Sequence, residues 1–301
     1  MARAARKSKS FNRSMEDTGN VVGLEHVNIR VPDQRLATLF YITGLGLTRD
    51  PYLVTGVVNM WVNIGRSQFH LPTGEAQVLR GRVGLVLPDL DAALERLEQV
   101  RKPLDGTKFD LKRRNNGHGS ADVTCPWGNR IRLHRPASQF GPMALGMPYV
   151  EFNTPAGSAD GIARFYSQVL GAPAMVKKTG ASKAAHVTVG QGQSLIYRET
   201  KGAIPDYDGH HIQVYVANFS GPHAALKKQK LVSEESDQYQ YRFKDIFDPK
   251  TGKVLYRLEH EVRSMTHPLY ARPLVNRNPA QTNQAYAPGH EARPWAEPYN
   301  S

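Results

Sequence analysis

The chain has 301 residues, 22% charged and 40% hydrophobic, with 39 Lys and Arg against 27 Asp and Glu for a formal net charge of +12. That length accommodates two domains, and no run of about eighteen apolar residues is present to cross a membrane as a helix. The single cysteine, Cys125, excludes an internal disulfide and fits a reducing, cytoplasmic setting, with a buried inert thiol the plainer reading and a nucleophile the alternative.

Arg3, Arg6, Lys7, Lys9 and Arg13 open the chain without an acid among them. This head lacks the apolar core of a secretory signal and reads as a disordered basic tail over 1–20. Nucleic acid is not its expected partner, although an acidic surface or organelle targeting fits the same composition.

From Gly23 the pattern changes. His26, Asn28 and Arg30 alternate with Val27, Ile29 and Val31, the period of a half-buried strand. Pro32-Asp33 interrupts it, and Leu36, Leu39, Phe40 and Ile42 or Leu45 recur at helical spacing until Gly44 and Gly46. Strand-like runs follow at 47–52, 57–64 and 67–71, the last two joined by a tight turn at Gly65-Arg66. The unit then returns: Gly81–Val100 repeats the strand, the Pro88-Asp89 turn and a helix with Leu90, Ala93, Leu94 and Leu97. After the polar stretch 102–120, the runs Asp122–Cys125 and Arg130–His134 read as a hairpin. Gly146–Ala172 is a third copy, its Phe165-Tyr166 and Leu170-Gly171 echoing Phe40-Tyr41 and Leu45-Gly46, with strands at 184–189 and 194–199. Gly209–Gln229 is a fainter fourth, with strands at 239–247 and 254–261. Repeats of this kind set the fold. The organisation is a head over 1–20, two domains over 21–138 and 139–263, and a Pro/Asn/Gln-rich tail over 264–301, with Tyr270, Leu274, Val275 and Trp295 as its possible anchors.

HVNIRVPD with LFYITGLGL, VGLVLPDLDAALERL, CPWGNRIRLH and RFYSQVLGAP resemble the vicinal oxygen chelate (VOC) superfamily: glyoxalases, bleomycin-resistance proteins and extradiol dioxygenases. The resemblance runs from Gly23 to Arg263. It implies an α+β fold of four βαβββ repeats forming two tandem domains, each with a cup whose first and last strands present metal ligands. It does not by itself give a function.

Carried over residue by residue, the resemblance assigns the first- and last-strand positions to His26 and His70 in repeat one, and to Arg82 and Arg132 in repeat two. In repeat three they are Tyr149 and Tyr197, and in repeat four His211 and Arg257. With consecutive repeats sharing a cup, His26, His70, Arg82 and Arg132 would line the first cup and Tyr149, Tyr197, His211 and Arg257 the second. Neither is a His/His/Glu set, and guanidinium cannot ligate a metal, so the expectation is no metal cofactor. A register two residues later would instead give His211, Glu151 and Glu259, able to hold Fe, Mn or Zn.

The expected function is binding of a small anionic or oxygen-rich molecule. His211, Tyr149 and His26 are the catalytic candidates, and Arg257, Tyr197, Arg132, Arg82 and His70 the substrate contacts. A metal-dependent dioxygenase, isomerase or lyase is one alternative, and a non-catalytic binding or scaffold protein another. Each residue also has a plainer reading: satisfied histidines, arginines in rim salt bridges, tyrosines in packing, and His118 and His186 at the surface. No membrane partner is expected, and a homo-oligomer is open.

Overall fold

The computed structural model describes residues 11–53, 58–114, 119–180 and 182–277. Repeat one comprises β1 (Val21–Asn28), α1 (Gln34–Ala37, continued by a π-helical stretch over Thr38–Gly44), β2 (Thr48–Arg49), β3 (Asn59–Ile64) and β4 (Ser67–Pro72). Repeat two comprises β5 (Gly81–Val86), α2 (Leu90–Gln99), β6 (Asp110–Arg114), β7 (Ser120–Thr124) and β8 (Arg130–His134). Repeat three comprises β9 (Gly146–Pro155), α3 (Ala159–Gln168), β10 (Ala174–Thr179), β11 (Ser182–Thr188) and β12 (Ser194–Thr200). Repeat four comprises β13 (His211–Val216), α4 (Ser220–Lys228), β14 (Val232–Asp237), β15 (Gln240–Phe247) and β16 (Val254–Ser264).

Local chemistry explains the recurrent boundaries. The Pro-Asp turns are helix N-caps: the Asp33 carboxylate accepts from the backbone N–H groups of Arg35 and Leu36, and Asp89 accepts from that of Ala92. Repeat three lacks the dipeptide, and there Glu199 accepts from the Ala159 N–H across the fold. The Phe-Tyr pairs of the first and third helices, Phe40-Tyr41 and Phe165-Tyr166, are at most 1% exposed. Each such side chain contributes about 1.5–3 kcal/mol by leaving water. At the β3–β4 turn Gly65 has φ +62°, and a Cβ there would stand 2.1 Å from the Leu145 carbonyl oxygen, so glycine is required.

The sixteen strands form two eight-stranded sheets ordered β14-β15-β16-β13-β1-β4-β3-β2 and β10-β11-β12-β9-β5-β8-β7-β6. In the first, β1 pairs antiparallel with β13; in the second, β5 pairs antiparallel with β9. Repeat one therefore joins repeat four in a terminal sheet, and repeats two and three make a central sheet. Cup membership expected from chain order is corrected: the seam of each sheet is a hydrogen-bonded first-strand pair, and those pairs are nested along the chain. No helix among the described residues is long and apolar enough to cross a membrane.

The chain ends partly belong to the fold. Arg13–Glu16 forms a 3-10 turn, and the Asn20 amide donates to the Leu170 carbonyl. The rest of the expected head, 1–10, lies outside the described residues, as do His118 and Trp295. Beyond β16 a strap packs the Tyr270 ring against Tyr215 at 4.9 Å, joins Arg272 to Asp50 at 2.6 Å, and ties Asn63 to the Val275 carbonyl at 2.7 Å.

Candidate functional site

The register of the terminal sheet lays its polar face out in rows. His26 stands opposite Gln213 and Gln213 beside Glu261; in the next row Asn28 stands opposite His211 and His211 beside Glu259. Alternation along β1, β13 and β16 sends the intervening Val27, Ile212 and Leu258 into the apolar core. His26, His211 and Glu261 each offer a ligand atom, and these atoms lie within 4.8 Å of one another, all on buried residues.

Several buried side-chain atoms on this face have no hydrogen-bond partner: Nε2 of His26 and His70, Oδ1 of Asn28, and both amide atoms of Gln213, while His211 Nε2 stands 3.4 Å from Glu261. Buried polar groups are seldom left so, and here several converge on one face. Supporting contacts fix the rings. A β-bulge between Leu24 and His26 brings Glu25 alongside, and its carboxylate accepts from His26 Nδ1 at 3.2 Å, directing Nε2 away from it. Tyr215 donates to Glu25 at 3.0 Å, and Arg263 reaches Glu25 at 3.0 Å and Glu261 at 2.6 Å. Arg242 bonds both Glu259 and Glu261. His70 stacks on Trp61 at 3.8 Å and meets His26 edge to face.

Electrostatics follow from these contacts. Burial raises the Glu261 pKa, but His211, His26, Arg263 and Arg242 outweigh it and hold the carboxyl well below the usual range. Burial lowers His211. Burial, joined by the neighbouring His26 and His211, pushes His70 down to about 2, so it is a neutral imidazole at ordinary pH.

The central sheet carries a different set. Arg82 Nε and Nη2 bond one oxygen of Glu151 at 3.0 and 2.8 Å, and Arg198 Nη2 bonds the other at 3.0 Å. Arg132 Nε and Nη2 bond Asp122 at 2.7 and 3.2 Å, and Arg114 bonds the same carboxylate. Tyr149 lies over Gly84, where a Cβ would come within 2.4 Å of its ring. Burial and the Arg132 charge lower His134 to about 4, while burial pushes Tyr149 up to about 12. The Tyr149 hydroxyl and neutral His134 Nε2 share a hydrogen bond of 2.9 Å.

The candidate residues thus separate by sheet. His26, His70, His211 and Glu259 come together; Arg82, Arg132, Tyr149 and Glu151 come together elsewhere. The His211/Glu151/Glu259 set is corrected, because Glu151 lies on β9 in the other sheet and the carboxylate grouped with the histidines is Glu261. Tyr197 faces the core, 0% exposed, with its hydroxyl on that of Tyr166, so it is not in a cup. Arg257 sits at the exposed start of β16 and pairs with Asp245 at 2.8 Å. Glu261 was readable as the next same-face residue after Glu259. Glu25 was hidden by the bulge, and Arg242, Arg263 and Arg198 carry no local motif.

No protein-family model and no curated protein matches the sequence. Solved structures do match. A point mutant of maize (Zea mays) glyoxalase I aligns at TM-score 0.58 and 13% identity over 80% of this chain and 92% of that one. A further maize glyoxalase I structure aligns at 0.55 and 12% identity, with the same coverage of 80% and 92%. A candidate dioxygenase from Bacillus subtilis aligns at 0.55 and 14% identity over 82% and 86%. The chain has the VOC fold. Within that fold the terminal sheet carries the His/Glu cluster and the central sheet the arginines.

The residues of the terminal VOC cup fit a divalent metal. Two imidazole nitrogens and a carboxylate converge, His26 Nε2 has no protein partner, and Glu25 fixes the His26 ring. Three carboxylates, Glu25, Glu259 and Glu261, are braced by three cations, Arg242, Arg263 and Lys244.

Proposed function

We propose that this protein is a metal-dependent VOC enzyme of the dioxygenase type, acting on a small, oxygen-rich molecule in the terminal cup. The observation that carries this reading is the convergence of His26, His211 and Glu261 within 4.8 Å, with His26 Nε2 unpartnered and His211 Nε2 3.4 Å from the Glu261 carboxylate. His26, His211 and Glu261 would hold the ion, and two histidines with one carboxylate are the donor set of non-haem iron(II) oxygenases. The bound ion would polarise two neighbouring substrate oxygens and bring them next to dioxygen. The Bacillus subtilis candidate dioxygenase with the same fold agrees with this class.

The chain's own groups supply orientation. Glu25 holds the His26 ring through Nδ1, and Arg242 and Arg263 hold the Glu261 carboxylate. His70, neutral and stacked on Trp61, presents Nε2 to hydrogen-bond a substrate oxygen. Gln213 and Asn28 offer further unpartnered polar atoms on the same face. The expected absence of metal rested on Arg82 and Arg132 in the cup with His26 and on Tyr149 and Arg257 in the cup with His211; Arg82, Arg132 and Tyr149 lie in the other sheet, and Arg257 pairs with Asp245.

The test is elemental analysis of full-length protein purified without chelators and resupplied anaerobically with Fe(II), Mn(II) or Zn(II). About one ion per chain is expected, lost in His211→Ala. A wild-type chain that retains none of the three ends this reading.

A further inference from the structure

We propose that the central cup is a second ligand site, independent of the metal reading, that takes a small dianion through carboxylate or phosphate oxygens and uses no metal. Three arginines from three strands build it: Arg82 on β5, Arg132 on β8 and Arg198 on β12. Arg82 and Arg198 share the two oxygens of one carboxylate, Glu151, which is 5% exposed. In the strand register Arg132 stands beside Gly84 and Gly84 opposite Tyr149, two residues along β5 from Arg82, which stands opposite Glu151.

Each arginine is only partly used. Arg82 and Arg132 engage their carboxylates through Nε and Nη2, and Arg198 through Nη2, so the Nη1 groups have no protein partner among the described residues. Those side chains are 28%, 23% and 32% exposed, so the remaining N–H groups are open to an arriving molecule. Pre-formed forks of this kind match carboxylate or phosphate oxygens.

Charge counting sets the ligand class. Arg82, Arg132, Arg198 and Arg114 face only Glu151 and Asp122, an excess of two positive charges. Guanidinium stays protonated at every relevant pH, so the excess is permanent and repels a cation. Glu151 and Asp122 act as struts: each holds its arginines in place, and their protonation is disfavoured because, although burial raises both, the arginine bonds outweigh it. Tyr149, seated on Gly84 and hydrogen-bonded to His134, adds an uncharged oxygen beside the arginines.

Calorimetry on the full-length chain at low ionic strength and pH 7.5 tests the site, with malonate, inorganic phosphate and acetate as probes. Malonate or phosphate should bind at least tenfold more tightly than acetate. Arg132→Gln and Arg198→Gln should each weaken that binding tenfold or more, while Glu261→Gln in the terminal cup leaves it unchanged. Preference for malonate supports a dicarboxylate and preference for phosphate a phosphate ester; both support the site. Should Arg132→Gln not fold, Arg198→Lys keeps the charge, removes the fork and should still weaken binding. Equal affinity for acetate, wild-type affinity in the arginine variants, or loss of binding only in Glu261→Gln overturns the proposal.

Discussion

The two cups share one architecture and differ in what stands at equivalent places. Both are closed by an antiparallel pair of first strands, β1 with β13 and β5 with β9, flanked by parallel last strands. On the terminal sheet those strands carry imidazoles and carboxylates, buried and with ring nitrogens left unpaired. On the central sheet they carry guanidinium groups already seated on carboxylates and still reaching solvent. The backbone supplies a few inward positions per cup; residue type decides whether they attract a cation or an anion.

Four experiments sharpen or break that contrast. The largest effect is expected from Glu261→Gln, which should lose most bound metal in elemental analysis; retention of a full complement would move the ligand set elsewhere. Next, Arg272→Ala strips the strap's partner from Asp50, whose side chain is 0% exposed, and leaves a buried carboxylate short of its cation. A loss of about 3–5 kcal/mol is expected in urea unfolding, against a minor change if the strap only rests on the terminal sheet.

Gly84→Ala should act on the central cup alone. The added Cβ would overlap the Tyr149 ring at 2.4 Å, displacing it from His134 at a cost of about 1–3 kcal/mol. Metal content should stay at wild type, and a loss of metal would show that the cups are not separate. The smallest effect concerns His134, which should titrate near pH 4 in an NMR series of its ring protons and move upward in Arg132→Gln. Because its folded pKa is depressed, its contribution to stability is complete above the unfolded value of about 6.5 and is lost as pH falls towards 4. Titration near 6.5 in the wild type would break the neutral Tyr149–His134 pair.

The repeats were legible because alternation, the Pro-Asp caps and the Phe-Tyr pairs are local signals. The strands missed, β6, β10 and β14, are sheet edges or near-edges rich in Lys, Arg, Glu and Asp, where solvent removes the apolar alternation that marks a strand. The site was half legible. His26, His70 and His211 stood out by type and position, and so did the arginines. Which of them share a cup depends on strand pairing between repeats, and neither a bulge at Glu25 nor an ion pair such as Arg242 with Glu261 leaves a trace in adjacent sequence. Tyr197 was misplaced because a one-residue difference in register turns a side chain to the opposite face.

The nested pairing also sets an order of assembly. Every strand of the central sheet lies between residues 81 and 200, so that sheet is complete in the nascent chain once β12 has left the ribosome. β1 is made before the central sheet but waits for β13, and Glu261 joins His26 only after β16 has been made. Contacts of such long sequence separation form slowly, whereas the helix of repeat one can already pack on repeat two, Phe40 meeting Phe109 at 6.1 Å. A ribosome stalled after residue 200 would therefore carry a finished arginine cup and no histidine one, the central sheet serving as the platform on which the two ends of the chain later meet.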